Sequence, residues 1–482
     1  MDVAVTDTEQ YILRLDNRMP FHFGNVRLDR AVRTLVAVTI EVDGERETGL
    51  SMGTSGSGWF LKDPSLSLPE LVEGFIDVTT AAREHAVALE PVPTVFDLRT
   101  ALFERQREWA AGTDHPPLLW GYGLSLVEQA VIDAFCRLTG TRFHDAVRDG
   151  SLGLELDWFY DDLAGEDPAE LLPADPRRST AIRHTVGLGD PLTEKDLSAD
   201  DRLDDGLPRT MAEYVDEQGI DHFKIKLGAN LDADRERLER IADVIDGVGL
   251  GDYAFTVDAN EQYPSAAAFR RQWAAIADDP DLDGFLDHLL YVEQPLARDG
   301  ALTEATAETF AEWDGPPVII DESDDRPRRL GRALDCGYAG TSHKNGKGVF
   351  TGVANRCLIE RRRRADPDGE YVISGEDLTA LGPIELQEDL AVMATLGMDH
   401  VERNGHHYFT GLDAFPESIQ ATVLSAHGDL FRRHDRGFAT LDIENGEIEL
   451  GSVVEAPFGH AVDLDPTWFT PVSAFSPSSL AE

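Results

Sequence analysis

The chain has 482 residues and a formal net charge of -47, from 43 Lys+Arg against 90 Asp+Glu. That balance excludes nucleic acid and anionic membranes as generic electrostatic partners, and a hydrophobic content of 42% is too high for a disordered acidic chain. The length allows a large core and two domains, and acidity on this scale points to a halophile's high-salt cytoplasm, where screening tolerates self-repulsion.

Residues 1 to about 60 read as strands, with Asp43-Gly44 as a hairpin turn after the β-rich run Arg33–Val42. Gly49–Phe60 is rich in Gly and Ser but lacks the Gly-Lys-Ser/Thr of a phosphate loop, and is expected to be a flexible loop over a site. Apolar residues at three and four spacing predict helices from Pro69 and over Leu124–Leu138, the second with Ser125 and Glu128 as a capping box. This segment, 1–150, is expected to be an α+β domain. The stretch Asp196–Pro208 carries five Asp and reads as a solvated loop.

From residue 151 to about 430 strands and helices alternate, and repeated βα units predict a (β/α)8-type barrel. Its eighth strand, near His400–His407, is weakly marked. The tail, about 430–482, is β-rich, has a hairpin signal at Asn445-Gly446, and is expected to return to the first domain. Cys136, Cys336 and Cys357 have no metal-type spacing, which fits a reducing compartment. The N-terminus carries no leader pattern, and no run approaches a membrane span.

Lysine use is selective. The chain has six, Lys62, Lys195, Lys224, Lys226, Lys344 and Lys347, and four of them fall in two close pairs. Lysine can lose its proton when its pKa is lowered and arginine cannot, so retained lysines point to proton transfer. Both pairs sit in a series of short β-rich runs: His222–Leu227 with Lys224 and Lys226, Phe255–Asn260 with Asp258, Leu290–Pro295 with Glu293, Val318–Ser323 with Asp321, and Ser342–Lys347 with Lys344.

Counted from Ile182, these are barrel strands two to six, each with its charged residue at the C-terminal end, the face where barrel enzymes do chemistry. Lys224 and Lys226 share a strand face. Asp258, Glu293 and Asp321 would form a carboxylate wall between strands two and six, a hard all-oxygen set suited to Mg2+, with Mn2+ also admissible. A cation would let all three stay ionised. Such a metal on a substrate carboxylate stabilises the enediolate formed when the adjacent C–H is deprotonated. Lys226, its pKa lowered by Lys224 and the metal, would be the base, with Lys344 on the other face.

In this order, Lys-x-Lys, Asp-x-Asn, Glu-Gln-Pro, Asp-Glu-Ser and a later lysine resemble the enolase superfamily, in its muconate lactonizing enzyme and mandelate racemase-like branch. The resemblance implies an α+β capping domain closing over a (β/α)7β barrel. It also implies Lys226 as acid/base, Lys224 assisting or binding the carboxylate, Asp258, Glu293 and Asp321 on Mg2+, and Asn260 and Glu322 behind them. The sixth strand offers both Lys344 and Lys347, of which Lys344 is preferred; Lys347 and His343 are candidates for substrate contact.

Racemisation or epimerisation, cycloisomerisation and elimination all remain open for an isomerase or lyase of this kind. Acid-sugar dehydration is the alternative reaction, and a non-catalytic carboxylate-binding barrel the alternative of another class. A small-molecule carboxylate, a homo-oligomeric assembly and a cytoplasmic setting complete the expectations. The charge generates one prediction at once: the melting temperature should rise between low and molar KCl, and an unchanged value would contradict salt adaptation.

Overall fold

Val3–Phe23 (β1), Val26–Val42 (β2) and Glu45–Ser55 (β3) form an antiparallel meander. The computed structural model describes residues 2–23, 26–63, 65–197 and 203–481, without the side chains of 21–28 and 481. Asp43 and Gly44, at φ 52 and 87, make the two-residue turn between β2 and β3, with Val42 opposite Glu45. Positive φ at both positions suits the right-handed twist of the arms.

Three helices, Leu68–Val87 (α1), Val95–Ala110 (α2) and Pro117–Thr139 (α3), complete this cap. The expected glycine-rich loop is a strand through Ser55. Its glycines serve packing: a Cβ at Gly49 would lie 2.1 Å from the Ala130 carbonyl oxygen on α3, and one at Gly53 2.2 Å from the Tyr122 hydroxyl. Helix α3 starts at Pro117, earlier than the capping-box signal placed it, and proline suits the first turn because its missing N–H has no helical partner there. Ser125 therefore sits inside the helix and donates to the Tyr122 carbonyl, while Glu128 pairs with buried Arg99.

Eight parallel strands follow: Ser179–Val186 (β4), His222–Lys226 (β5), Ala254–Asp258 (β6), Leu289–Glu293 (β7), Val318–Ile320 (β8), Gly340–His343 (β9), Val372–Gly375 (β10) and His400–Arg403 (β11). Each pairs with the next, and β11 closes on β4 through Val401 opposite Ile182. At least one helix lies in every crossover, which makes a (β/α)7β barrel. Phe223 and Ile225 of β5 are fully buried, in strict alternation with Lys224 and Lys226.

The tail divides its contacts. Phe431–Arg433 (β12) pairs with Ala439–Leu441 (β13), Glu447–Glu449 (β14) runs antiparallel to β4, and Thr470–Pro471 (β15) adds to β1 of the cap. The turn at Asn445-Gly446 exists, bridged by Glu444 and Glu447, but the hairpin predicted across it does not: β13 and β14 take different partners. Within the acidic stretch 196–208, residues 198–202 lie outside the described residues. All three cysteines are free and buried, and among the described residues no helix is long and apolar enough to cross a membrane.

Candidate active site

The charged series gathers at one end of the barrel. Cross-strand register places Lys226 beside Asp258 and Asp258 beside Glu293, each the last residue of its strand. Asp321 and Lys344 follow directly after β8 and β9. A cavity over this end is lined by Lys224, Lys226, Asp258, Asp321 and Lys344 below and by Ser55, Gly56, Trp59 and Leu68 of the cap above.

Lys224 is the hub. Its ammonium, buried in the barrel, lies 2.8 Å from Glu293 Oε2, 3.1 Å from Asp258 Oδ2 and 3.2 Å from Glu402 Oε2, and it also contacts Glu376. Burial alone would lower its pKa, but Glu293, Glu376, Glu402 and Asp258 outweigh burial and hold it well above the usual lysine value. Arg183 of β4 pairs with Glu376 from the other side.

Lys226 is placed differently. Its ammonium donates to Asp258 Oδ2 at 2.6 Å and to Asn260 Oδ1 at 2.8 Å, at the cavity wall. Asp321 accepts from Trp59 Nε1 at 2.8 Å, Lys344 Nζ at 2.7 Å and Ser342 Oγ at 2.6 Å, and Lys347 Nζ lies 2.8 Å from its Oδ1. Desolvation opposes its ionisation, yet Lys344, Lys347 and Lys224 hold Asp321 well below the usual carboxylate range. Trp59 covers the pair, with Lys344 Nζ 4.8 Å from its ring centroid.

Trp59 is fixed by its neighbour. Phe60 packs edge-on against Phe75 of α1 and Tyr122 of α3, at centroid distances of 5.0 and 4.7 Å. Lys62, two residues on, reaches Glu261 at 2.6 Å and Glu322 at 3.0 Å, and Arg298 holds the Trp59 carbonyl at 3.0 Å.

The donor chemistry of Asp258, Glu293 and Asp321 fits a hard divalent cation. Glu293 is the clearest sign: both oxygens are buried, and beyond the ion pair of Oε2 with Lys224 they accept no hydrogen bond among the described residues. Desolvation, then the neighbouring Glu376, push its pKa well up against the opposing pull of Lys224. The three carboxylates do not yet converge. Lys224 stands between Asp258 and Glu293, and Lys344 and Lys347 hold Asp321. Among the described residues, the trio whose oxygens do lie within 4.8 Å of one another is half-buried Glu239, buried Asp279 and exposed Asp281, and Arg235 already pairs with Asp279.

Not every predicted residue reaches the cavity. The His343 imidazole lies against Gly352 of the following helix and bonds Asn345 at 3.1 Å, so strand alternation turns it outward, away from substrate. Lys347 touches Asp321 and the Ser342 carbonyl rather than the cavity. Asn260 lines the cavity, and Glu322 lies behind it at 3.3 Å from its amide. Sequence reasoning missed Glu376, directly after the short strand seven, Glu402 on the short strand eight, and Trp59, hidden in a segment read as loop. His184 on strand one packs against His406 and His407, which follow strand eight, and burial pushes His184 down to about 3.

Residues 206–341 match the family model described as enolase C-terminal domain-like. The fold is that of the enolase superfamily. A Herpetosiphon aurantiacus mandelate racemase/muconate lactonizing protein is 18% identical, with a TM-score of 0.60 over 96% of this chain and 99% of that one. An enolase from Bradyrhizobium, complexed with magnesium and mandelic acid, is 15% identical, with a TM-score of 0.59 over 98% and 99%. Muconate lactonizing enzyme from Pseudomonas fluorescens, complexed with muconolactone, is 16% identical, with a TM-score of 0.56 over 96% and 97%. At these identities the likeness is one of fold. No curated protein sequence matches the chain.

The Lys224 hub yields a stability prediction. Lys224→Met leaves several buried carboxylates without their shared cation, so in metal-free buffer unfolding should be easier by about 3–5 kcal/mol. Urea denaturation reads this directly, and a loss below about 1 kcal/mol would show that the network does not depend on this ammonium.

Proposed function

We propose that the protein is an Mg2+-dependent enzyme that abstracts a proton α to the carboxylate of a small-molecule substrate. The observation that carries this reading is the cavity itself. Lys226 and Lys344 line it from barrel strands two and six, which stand opposite each other, and the carboxylates Asp258 and Asp321 lie between them. The Mg2+-and-mandelic-acid complex of the Bradyrhizobium relative and the family model over residues 206–341 support the same reaction class.

Asp258, Glu293 and Asp321 would hold the metal. Bound there, Mg2+ would supply Lewis-acid stabilisation of the charge that builds on the substrate carboxylate. Lys226, anchored by Asp258 and Asn260, has the cavity in front of it and is the base. Lys224 is committed to its carboxylates, so its role is to remain positive beside Lys226 and fix the wall. Lys344, above Asp321 and below Trp59, handles a proton or stabilises charge on the opposite face. Lys347 braces Asp321. Trp59 and Leu68 keep water from the reacting carbon.

With lysines on both faces, racemisation or epimerisation, cycloisomerisation and elimination are all within reach of this geometry. The acidic surface suits a high-salt cytoplasm. The decisive assay incubates acid sugars, amino-acid derivatives and dipeptides with enzyme and Mg2+ in D2O and follows α-deuterium uptake. At least one class should exchange, and Lys226→Arg should cut that exchange by about 100-fold or more, because a guanidinium keeps charge but cannot accept a proton. Exchange that persists when both Lys226 and Lys344 are arginine would refute the mechanism.

A further inference from the structure

Lys62 belongs to the cap, in the loop after β3, yet its ammonium ends on the barrel. It donates to the Asn260 carbonyl at 2.8 Å and to Glu322 Oε1 at 3.0 Å, and lies 2.6 Å from Glu261 Oε2. Two of these three partners have strained backbones: Asn260 and Glu261 sit at φ 40 and 68, a region that side-chain-bearing residues rarely adopt. The same Glu322 Oε1 accepts from Asn260 Nδ2 at 3.3 Å, and Asn260 Oδ1 accepts from Lys226 Nζ at 2.8 Å.

A continuous chain thus runs from Lys62 through Glu322 and Asn260 to Lys226. Its direction is fixed by chemistry. A carboxylate only accepts, so it takes the amide's Nδ2 and leaves Oδ1 for the ammonium of Lys226; an amide turned the other way would set donor against donor. Glu322 is buried and its other oxygen, Oε2, accepts no hydrogen bond among the described residues, so Lys62 supplies the nearby positive charge this carboxylate needs.

We propose that Lys62 is a positioning residue: through Glu322 and Asn260, the cap's ammonium sets where the Lys226 amine points in the cavity. The inference rests on Lys226 being the base and adds that the base is aligned only when the cap is seated. A simple fastener would hold the cap down without affecting Lys226 more than its neighbours.

The six lysines make the test tractable. Full-length protein labelled with [13Cε]lysine should give six resolvable signals, assigned by single Lys→Arg variants. Lys62→Met should shift the Lys226 signal and leave that of Lys344, which reports cap seating through its place under the Trp59 ring. In an Asn260→Ala background, Lys62→Met should move Lys226 no further. An unmoved Lys226 signal, a Lys344 shift as large as that of Lys226, or a full Lys62→Met effect without the Asn260 amide would overturn the proposal. Should Lys62→Met not fold, Glu322→Gln interrupts the chain from the barrel side and must produce the same selective shift, with an unmoved Lys226 again overturning it. Absence of deuterium uptake by the unaltered enzyme would instead remove the base assignment and leave these signals unaffected, so the two failures are distinguishable.

Discussion

The ammonium of Lys224 is surrounded by Asp258, Glu293, Glu376 and Glu402, from barrel strands three, four, seven and eight. Removing one such charge from water costs several kcal/mol, and removing four carboxylates costs more, so neither side of this arrangement could be buried alone. The group is compact and can point to several strands at once, which the planar fork of arginine could not do in the same space. Arg183 takes the outer position against Glu376, where one flat pairing suffices. The Asp258–Glu293 side of the site is set by reference to that ammonium. Lys226 shares Asp258 with it, and Glu293 lies against it with no hydrogen bond of its own among the described residues.

The cap builds on this base with cations of its own. Arg18 reaches Asp205 at 2.7 Å, Arg33 reaches Glu385 at 3.0 Å, and Lys62 reaches Glu261 and Glu322. These contacts fall in crossovers that follow different barrel strands, so cap and barrel are joined around the rim of the cavity. The glycines of β3 let α3 approach, Tyr122 on α3 packs against Phe60, and Phe60 carries Trp59 onto Asp321. The path from a small residue in a strand to a ring over two lysines runs through packing and ends on the Trp59–Asp321 hydrogen bond.

Much of this was legible in the sequence because two periodicities were clear. Short apolar runs alternate with helical stretches from Ile182 onward, and the charged residue at the end of each run falls where a parallel barrel presents its open face. Lys224 and Lys226, two apart, could only share a face. What stayed hidden lacked such a signal. Glu402 sits within a four-residue strand, His400–Arg403, too short to show its alternation. The Gly and Ser of residues 49–57 mask strand periodicity, since their role is to leave room for a helix rather than to bury apolar surface. The Ser125–Glu128 pair mimicked a helix start because the same residue types serve interior contacts, while Pro117 marked the true first turn. β14 could not be foreseen as a partner of β4, because the pairing joins segments from opposite ends of the barrel's sequence.

In the proposed function the carboxylate wall beside Lys224 is a metal site and the lysines face each other across it. A crystal structure of the protein soaked in Mg2+ tests this most directly, with Mn2+ as an anomalous-scattering check. The expected result is one octahedral ion bound by Asp258, Glu293 and Asp321 at about 2.0–2.1 Å, with Lys224 drawn back from the Asp258–Glu293 pair. An ion that binds only elsewhere, such as at Glu239, Asp279 and Asp281, or that takes histidine ligands, would contradict it.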